Sequence, residues 1–557
     1  MYQLSQRNLL RSFSKPLLKS QRTFATPTNQ HPTPTHPPKD YDIVIVGGGP
    51  VGLALANALA TCKTIKSSGT QISVLDSANL DQLSQWTLPN GEWSNRVSSL
   101  TNENMRFLKS IGVWQHIDLS RTNPLERMEV WDGLSDARII FDSSDGCEPN
   151  EIINQSNLPH MARFIENLHL QTGMLRNLKL QSNVDLIGST KVESIQSDPN
   201  NLPLIYMNDG KIFRTRLLIG ADGFNSPVKS YAKITSTGWN YDAHCVVGTL
   251  ELEPTSLNHT AWQRFLTSGP LGILPLSDRC ASLAWSTKPQ IAAGLKSLTP
   301  QTLSSVINAC FALPHSSIDP ILKQIGTHSK ETPIDSNLIQ AEVDWSESLV
   351  RSNQLSSDEL PPKVTGVRME SIASFPLRMF HADQYLGDTK DQAEYAGPSR
   401  VALVGDAAHV LHPMAGQGLN LGLGDARELA KTVKIALENG QDIGSLTALS
   451  PYARSRYINN HLIMATVDKL NKLYSIKASP IVWARSVGVE VLNELPSLKN
   501  LMMGRAGGDL NSNRIGIWGT VADVYETIEK VKYLSDGMVR MGLGALSSVF
   551  QRDRFRN

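Results

Sequence analysis

Apolar and polar positions first fall into a regular order at Tyr41, where "YDIVIV" forms a short, almost wholly apolar run closed by glycines. A run of that length and boundary predicts a buried strand. "GGGPVG" then predicts a turn, and "LALANALA" a helix rich in alanine and leucine. "QISVLD" predicts a second strand ending on Asp76, with "TCKTIKSSGTQ" before it as a lengthened loop. Two later runs have the same form. "RLLIGADGFNSPVK" (Arg216 to Lys229) predicts a strand that delivers Asp222 and Gly223 to a turn, and "VALVGDA" from Val401 predicts one that delivers Gly405 and Asp406. "GPLGILPL" and "ASFPLRMF" read as apolar strands, either walls of a ligand site or ordinary sheet core. "SSDELPPK" (Ser356 to Lys363) and "GDTKDQAEYAGPSR" (Gly387 to Arg400) read as polar surface insertions. Beyond Leu470 the pattern turns helical. Val539, Leu543, Leu546 and Phe550 then form an apolar stripe ahead of Arg552, Arg554 and Arg556. That stripe suits packing on the body or on a partner protein, or contact with an anionic membrane surface.

The first forty residues differ in kind. "MYQLSQRNLLRSFSKPLLKSQRTFAT" carries Arg7, Arg11, Lys15, Lys19 and Arg22, and Asp40 is the first acidic residue of the chain. Leu10, Phe13 and Leu17 would line one face of a helix opposite these cations. Arginine-rich, serine-containing, acid-free and amphipathic is the composition of a mitochondrial transit peptide, with a disordered basic tail as the alternative. "HPTPTHPPK" (His31 to Lys39) follows as a stiff linker, so the mature fold should start near Asp40. No apolar run is long enough to span a bilayer, and no internal repeat is present. A length of 557 residues calls for two domains or one elaborated domain, and a net charge of +1 argues against broad capture of nucleic acid. Cys62, Cys147, Cys245, Cys280 and Cys310 lie far apart without a CxxC pair, which reads as reduced thiols.

The candidate chemistry sits at the strand ends. Gly47, Gly49 and Gly52 form GxGxxG between a strand and a helix, the context in which the motif binds a dinucleotide. Gly47 permits the tight turn, Gly49 lets backbone approach a pyrophosphate, and Gly52 lets the helix pack on the strand. Asp76 is placed to accept ribose hydroxyls. "VALVGDAAHVLHPMAGQGLNLGLGDA" needs its glycines more than its histidines. His409 and His412 have no supporting acidic or cysteine ligand, so structural packing is the expectation and no metal site is assigned.

GxGxxG, then Asp222-Gly223, then Gly405-Asp406 occur in that order, 175 and 184 residues apart. With these motifs the chain resembles the single-component flavoprotein aromatic hydroxylases of the p-hydroxybenzoate hydroxylase fold. "NRVSSLTNENMRFLKSIGVW", "FIENLHLQTGMLRNL", "GPLGILPLSD" and "ASFPLRMFHADQYL" are similar to the ubiquinone-biosynthesis branch of that family, from about Asp42 to about Leu470. The resemblance implies FAD as cofactor, with Asp406 holding its ribityl chain and Arg96 reaching the FAD. It also implies that "HPMAGQGLN" passes under the isoalloxazine ring. There Gly416 and Gly418 bring backbone amides to the flavin N1–C2=O edge, Pro413 stops the preceding segment, and Asn420 caps the helix or contacts the ring. One departure stands out: Lys229 occupies the place where the DG motif usually closes on arginine, and lysine lacks the bidentate fork.

The implied fold is α/β: a Rossmann-like FAD-binding domain interleaved with a β-sheet substrate domain and followed by a C-terminal helical segment. The expected division is 1–25 transit peptide, 26–39 linker, 40–125 first FAD segment, and 126–205 substrate strands with an FAD-domain helix. It continues with 206–233 the DG segment, 234–386 the substrate domain, 387–470 the GD segment and 471–557 a helical region. The implied activity is hydroxylation of ring position 5 of a 4-hydroxy-3-polyprenylbenzoate, or its amino analogue, by O2 through a flavin C4a-hydroperoxide. Electrons would come from ferredoxin and its reductase, or from NAD(P)H. The setting would be the matrix face of the mitochondrial inner membrane, with the coenzyme Q biosynthetic complex as partner. Hydroxylation of a small soluble phenol, reduction of isoprenoid double bonds, and a flavin-holding scaffold remain open alternatives. No residue is assigned as the base that assists phenol ionisation.

Overall fold

The computed structural model describes residues 37–89, 91–143, 160–254, 258–327, 334–350, 360–387, 400–413 and 416–493. The basic N-terminal segment, Cys147 and the stripe from Val539 to Phe550 lie outside them.

The strand foreseen at Tyr41 spans Lys39–Val46 and lies in the middle of a parallel array. In spatial order the array runs Val184–Ile187, Ile72–Leu75, Lys39–Val46, Ile212–Gly220 and Val401–Leu403. Its near-continuous apolar runs follow from burial on both faces: Ile43, Val44, Ile45, Leu217, Leu218, Ile219 and Val401 to Leu403 are fully buried. The far edge of Ile212–Gly220 is shared. Its first residues pair antiparallel with Pro203–Met207, and its last with Val401–Leu403. Helices Pro50–Thr61, Asn167–Leu178 and Gln417–Glu438 pack together over this sheet. The segment foreseen as a lengthened loop contains one short helix, Lys63–Ser67, which seats Ile65 in the core.

A second, mostly antiparallel sheet has eight strands. Their order is His409–Val410, Val364–Ala382, Ser236–Leu252, Cys280–Thr287, Gly269–Pro275, Thr260–Leu266, Arg127–Asp132 and Arg138–Asp142. The two-residue strand His409–Val410 clasps the two sheets. It follows the last strand of the first sheet within six residues of Leu403 and pairs with His381 and Phe380 in the second.

The segment 234–386 also holds four helices: Pro289–Leu295, Pro300–Ala312, His315–Ile325 and Ser336–Val350. They bury one face of the second sheet in a core with Val246, Leu250 and Trp285. Leu271 and Ile273 of "GPLGILPL" belong to that core, so of the two readings of this strand ordinary sheet core holds for them. Arg264, 2% exposed, ties sheet to helices by donating to the carbonyls of Cys310, Phe311 and Leu313 at the end of Pro300–Ala312 and to Asp136. It satisfies carbonyls that the helix end leaves without intrahelical partners.

Helix Leu446–Ser475 runs across residue 470, and Ser479–Asn493 follows it. Arg485 of the last helix makes a buried, bidentate pair with Asp132 at 2.6 and 2.9 Å. Removing one partner of such a pair strands a buried charge. Cys62, Cys245, Cys280 and Cys310 are free, and all but Cys62 are buried.

Candidate functional site

Strand register brings the three motifs to one end of the parallel sheet. Val46 lies opposite Gly220, and Gly220 opposite Leu403. Gly47, Ala221 and Val404 therefore begin three adjacent turns, stitched by Ala221 N–H to the Val46 carbonyl (2.8 Å) and Val404 N–H to the Gly220 carbonyl (2.9 Å). Ligands of open parallel sheets bind outside the carboxyl ends of strands.

At the first turn, Gly47 has φ 113°, and a Cβ there would lie 2.2 Å from the Ala221 carbonyl oxygen. A Cβ on Gly52 would lie 2.0 Å from the Gly47 carbonyl oxygen, whereas one on Gly49 meets no atom within 4 Å. Two glycines are thus required by packing, and the third leaves open space in front of the helix. Gly49 is the N-cap of Pro50–Thr61 and gives it no side-chain cap, so the first-turn amides remain available to an anion. Asp76 stands half-exposed at its strand end. One oxygen accepts from Gly48 N–H at 2.5 Å and the other from Ala78 N–H at 2.6 Å. It shapes the turn and keeps acceptor capacity for ribose hydroxyls. Gln171, from Asn167–Leu178, donates to the Gly48 carbonyl at 3.1 Å. Its place beside the glycine turn depends on a contact across 123 positions, which no local pattern signals.

At the second turn, Gly223 has φ 79° and nothing within 4 Å of a Cβ. One oxygen of Asp222 accepts from Val228 N–H at 3.3 Å, while Oδ1 is buried with no hydrogen-bond partner among the described residues. Burial pushes the Asp222 carboxyl up to about 6. Lys229 donates to the Phe224 carbonyl at 3.1 Å and lies 5.3 Å from the Phe224 ring, its pKa lowered by burial. Arg378 lies 4.5 Å from the same ring. The positive charge expected of arginine at position 229 is present, but as a single donor.

At the third turn, Gly405 adopts φ 59°, and Asp406 is exposed at the strand end with no hydrogen-bond partner among the described residues. Desolvation by the surrounding protein raises its pKa, and His409 opposes that shift. The chain then passes Pro413, whose carbonyl accepts from Gly416 N–H at 3.0 Å, and enters helix Gln417–Glu438. Gly416, the N-cap, has φ 62°, and a Cβ there would lie 2.8 Å from Ser99 Oγ. Gly418 would meet only a Leu411 methyl at 3.6 Å, an ordinary contact, so packing does not demand glycine there.

Asn420 differs from the expectation that it caps the helix or contacts the ring. Its Nδ2 donates to the Ser99 carbonyl (2.8 Å) and the Gly416 carbonyl (3.3 Å), and its Oδ1 accepts from Thr101 N–H (3.2 Å) and Asn104 Nδ2 (2.9 Å). The four positions of a primary amide are filled, and the residue ties strand Val97–Thr101 to the helix. Arg96 is exposed just before that strand, and its guanidinium finds no ion pair among the described residues. His409 and His412 go separate ways. His409 pairs with Asp425, while His412 is buried edge-on to Tyr241 at 5.5 Å and pushed down to about 4, so it is neutral at physiological pH.

An uncapped helix start behind an open glycine, an orphaned buried carboxylate oxygen and an unpartnered strand-end carboxylate fit a pyrophosphate followed by a polyol. Those are the linking parts of FAD.

Known proteins are similar to this chain. A family profile described as an FAD binding domain matches residues 40–331 and 363–456. Proteins named ubiquinone biosynthesis monooxygenase COQ6, mitochondrial, are similar along most of their length. That of Schizosaccharomyces pombe is 35% identical over 473 residues, covering 84% of this chain and 91% of the relative. The human protein is 36% identical over 474 residues, covering 83% and 92%. Among solved structures, pqsL, a probable FAD-dependent monooxygenase from Pseudomonas aeruginosa, superposes with a TM-score of 0.55 at 20% identity, covering 81% of this chain and 99% of its own. The p-nitrophenol 4-monooxygenase PnpA from Pseudomonas putida gives 0.55 at 15%, covering 84% and 99%. At such identities these two likenesses speak for the fold.

Proposed function

The chain belongs to the FAD-dependent monooxygenases of ubiquinone biosynthesis, and on that premise we propose that it hydroxylates ring position 5 of a 4-hydroxy-3-polyprenylbenzoate or its amino analogue. Its reaction takes O2, an aromatic substrate and a reductant. The observation that carries the reading is the convergence of Gly47, Asp222 and Asp406 on adjacent strand ends.

FAD, when bound, supplies the two-electron chemistry that activates oxygen for transfer to the ring. The chain's own groups hold and screen it. The amides behind Gly49 would take the pyrophosphate, Asp76 the adenosine ribose, and Asp406 the ribityl hydroxyls. Gly416 spends its own amide on the Pro413 carbonyl, so the first-turn amides of the 22-residue helix behind it would meet the ring edge that gains negative charge on reduction. A helix N-terminus favours such charge by about 0.3–1 kcal/mol, and by more when partly buried. Gly418 stays with the same edge as a proposed contact, and Arg96 is proposed to reach the FAD near its phosphates or ring. Phenol hydroxyls ionise near pH 10, so a group that assists ionisation is needed.

We assign ferredoxin and its reductase as the electron source, because the basic leader suits the matrix and Lys229 offers a nucleotide phosphate no fork. Relatives are named mitochondrial, and a peripheral site on the matrix face of the inner membrane is proposed for this chain. No described helix is long and apolar enough to cross a membrane. Ile458, Leu462 and Trp483 are each more than 60% exposed on the last two described helices, which suits a surface that meets a polyprenyl substrate at a bilayer.

Mass spectrometry of quinone precursors tests the substrate. Cells lacking the protein should accumulate a prenylated 4-hydroxybenzoate, or a relative unmodified at ring position 5, and Asp406→Ala should not restore quinone. Normal quinone in such cells would remove the assignment.

A further inference from the structure

The stretch that carries Asp406 also carries a second aspartate whose surroundings are the opposite. Asp425, nineteen positions on in helix Gln417–Glu438, is completely buried. Its Oδ2 accepts from Gly405 N–H at 3.1 Å and pairs with His409 Nε2 at 2.6 Å. Its Oδ1 accepts from Arg456 Nε at 2.8 Å and Asn460 Nδ2 at 2.9 Å. Arg456 donates further to the Leu421 carbonyl (3.1 Å) and Asn460 Oδ1 (2.6 Å), and Asn460 Nδ2 reaches Tyr385 Oη at 3.2 Å. These partners hold the Asp425 carboxyl far below the usual carboxylate range, His409 and Arg456 foremost, against the effect of burial.

A carboxylate taken wholly out of water is costly, and a sequence needing only a helix here would place an apolar residue. What this one holds is the Gly405–Asp406 turn. Gly405 N–H precedes Asp406 by one residue, and His409 follows it by three. The same turn is wedged between helices: a Cβ on Gly405 would lie 3.1 Å from a Val51 methyl, and one on Gly422 would lie 2.4 Å from that methyl and 3.3 Å from Gly405 Cα. Backbone therefore lies against backbone, and one carboxylate grasps the chain on both sides of Asp406.

We propose that Asp425 is a positioning residue for FAD, acting through Asp406, with His409, Arg456 and Asn460 holding its charge in place. The proposal rests on the reading that Asp406 contacts the cofactor. Groups one layer behind a metal ligand change affinity by about 10- to 100-fold when removed, and the same order is expected behind a cofactor contact. Asp425→Asn keeps the shape and loses the charge.

The test is a double-mutant cycle on the FAD dissociation constant, read by quenching of flavin fluorescence on the purified full chain, with melting of the FAD-free chain alongside. Asp425→Asn should weaken FAD by about 10- to 100-fold in the parent chain and by less than about threefold in an Asp406→Ala background. An equal loss in both backgrounds, or no loss in the parent, overturns the proposal. Asp406→Ala alone, leaving affinity unchanged, would instead overturn the reading of Asp406. Should Asp425→Asn not fold, His409→Gln enters the same cycle with the Asp425–Arg456 pair intact. It should show the same collapse of its effect once Asp406 is gone, and an undiminished effect overturns the proposal.

Discussion

At the turn after the first strand, a Cβ on Gly47 or Gly52 would run into backbone at 2.2 or 2.0 Å, while one on Gly49 would enter open space. At the turn before helix Gln417–Glu438, Gly416 sits at φ 62° against Ser99, and Gly418 is in ordinary surroundings. Two glycine-rich loops that look alike in one-letter code are thus built on different demands. In the first, packing fixes the outer glycines and leaves open space at the middle one. In the second, backbone conformation fixes Gly416, and packing does not fix Gly418.

Substitutions separate these demands, and the largest effect belongs to Gly52. Gly52→Ala forces helix and strand apart and should cost the FAD-free chain about 3 kcal/mol or more, read as a lowered melting temperature. Melting like the parent would mean that the close approach is not needed. Gly49→Ala should leave that melting within about 0.5 kcal/mol yet weaken FAD about 10- to 100-fold, a loss of about 1.4–2.7 kcal/mol. Unchanged affinity would remove the pyrophosphate from this turn.

Next in size comes a pH effect at the neighbouring turn. The Asp222 carboxyl rises from its ordinary value near 3.8 to about 6 on folding, so the folded state binds the extra proton between those values. Its contribution is complete below about pH 4 and is lost as pH rises through 6. Allowing for partial exposure, the parent should lose about 1–2 kcal/mol across that window relative to Asp222→Asn. Denaturant midpoints at a series of pH values measure it, and parallel curves would contradict it. Smaller still, Gly416→Ala should destabilise by about 1–2 kcal/mol through its left-handed backbone. Gly418→Ala should be neutral or stabilising by about 0.5–1 kcal/mol, because alanine suits a helix start better than glycine. Equal losses at the two positions would erase the distinction drawn between them.

Local signals made much of this legible in sequence. A glycine between an apolar run and a helix, or an acid just past a strand, is announced by its neighbours, so Gly47, Asp76, Asp222 and Asp406 could be found one by one. Long-range geometry could not. Asn420 spends its amide on Ser99, Thr101 and Asn104, more than 300 positions away. Gln171 reaches Gly48, and Asp425 gathers Gly405, His409, Arg456 and Asn460. The helices of 289–350 carry their apolar residues at helical spacing, as Ile318, Ile321, Leu322 and Ile325 do, but stand among strands whose apolar runs dominate 234–386. His409 and His412 were read as packing rather than ligating, and each has a partner within the protein.

The central claim is that these strand ends form one cradle for FAD. Purified full-length chain, stripped of flavin and titrated with FAD, should bind one equivalent saturably, and Asp406→Ala should bind at least about tenfold more weakly while keeping its melting temperature. A folded chain that takes up no FAD, or one indifferent to loss of Asp406, would contradict the account.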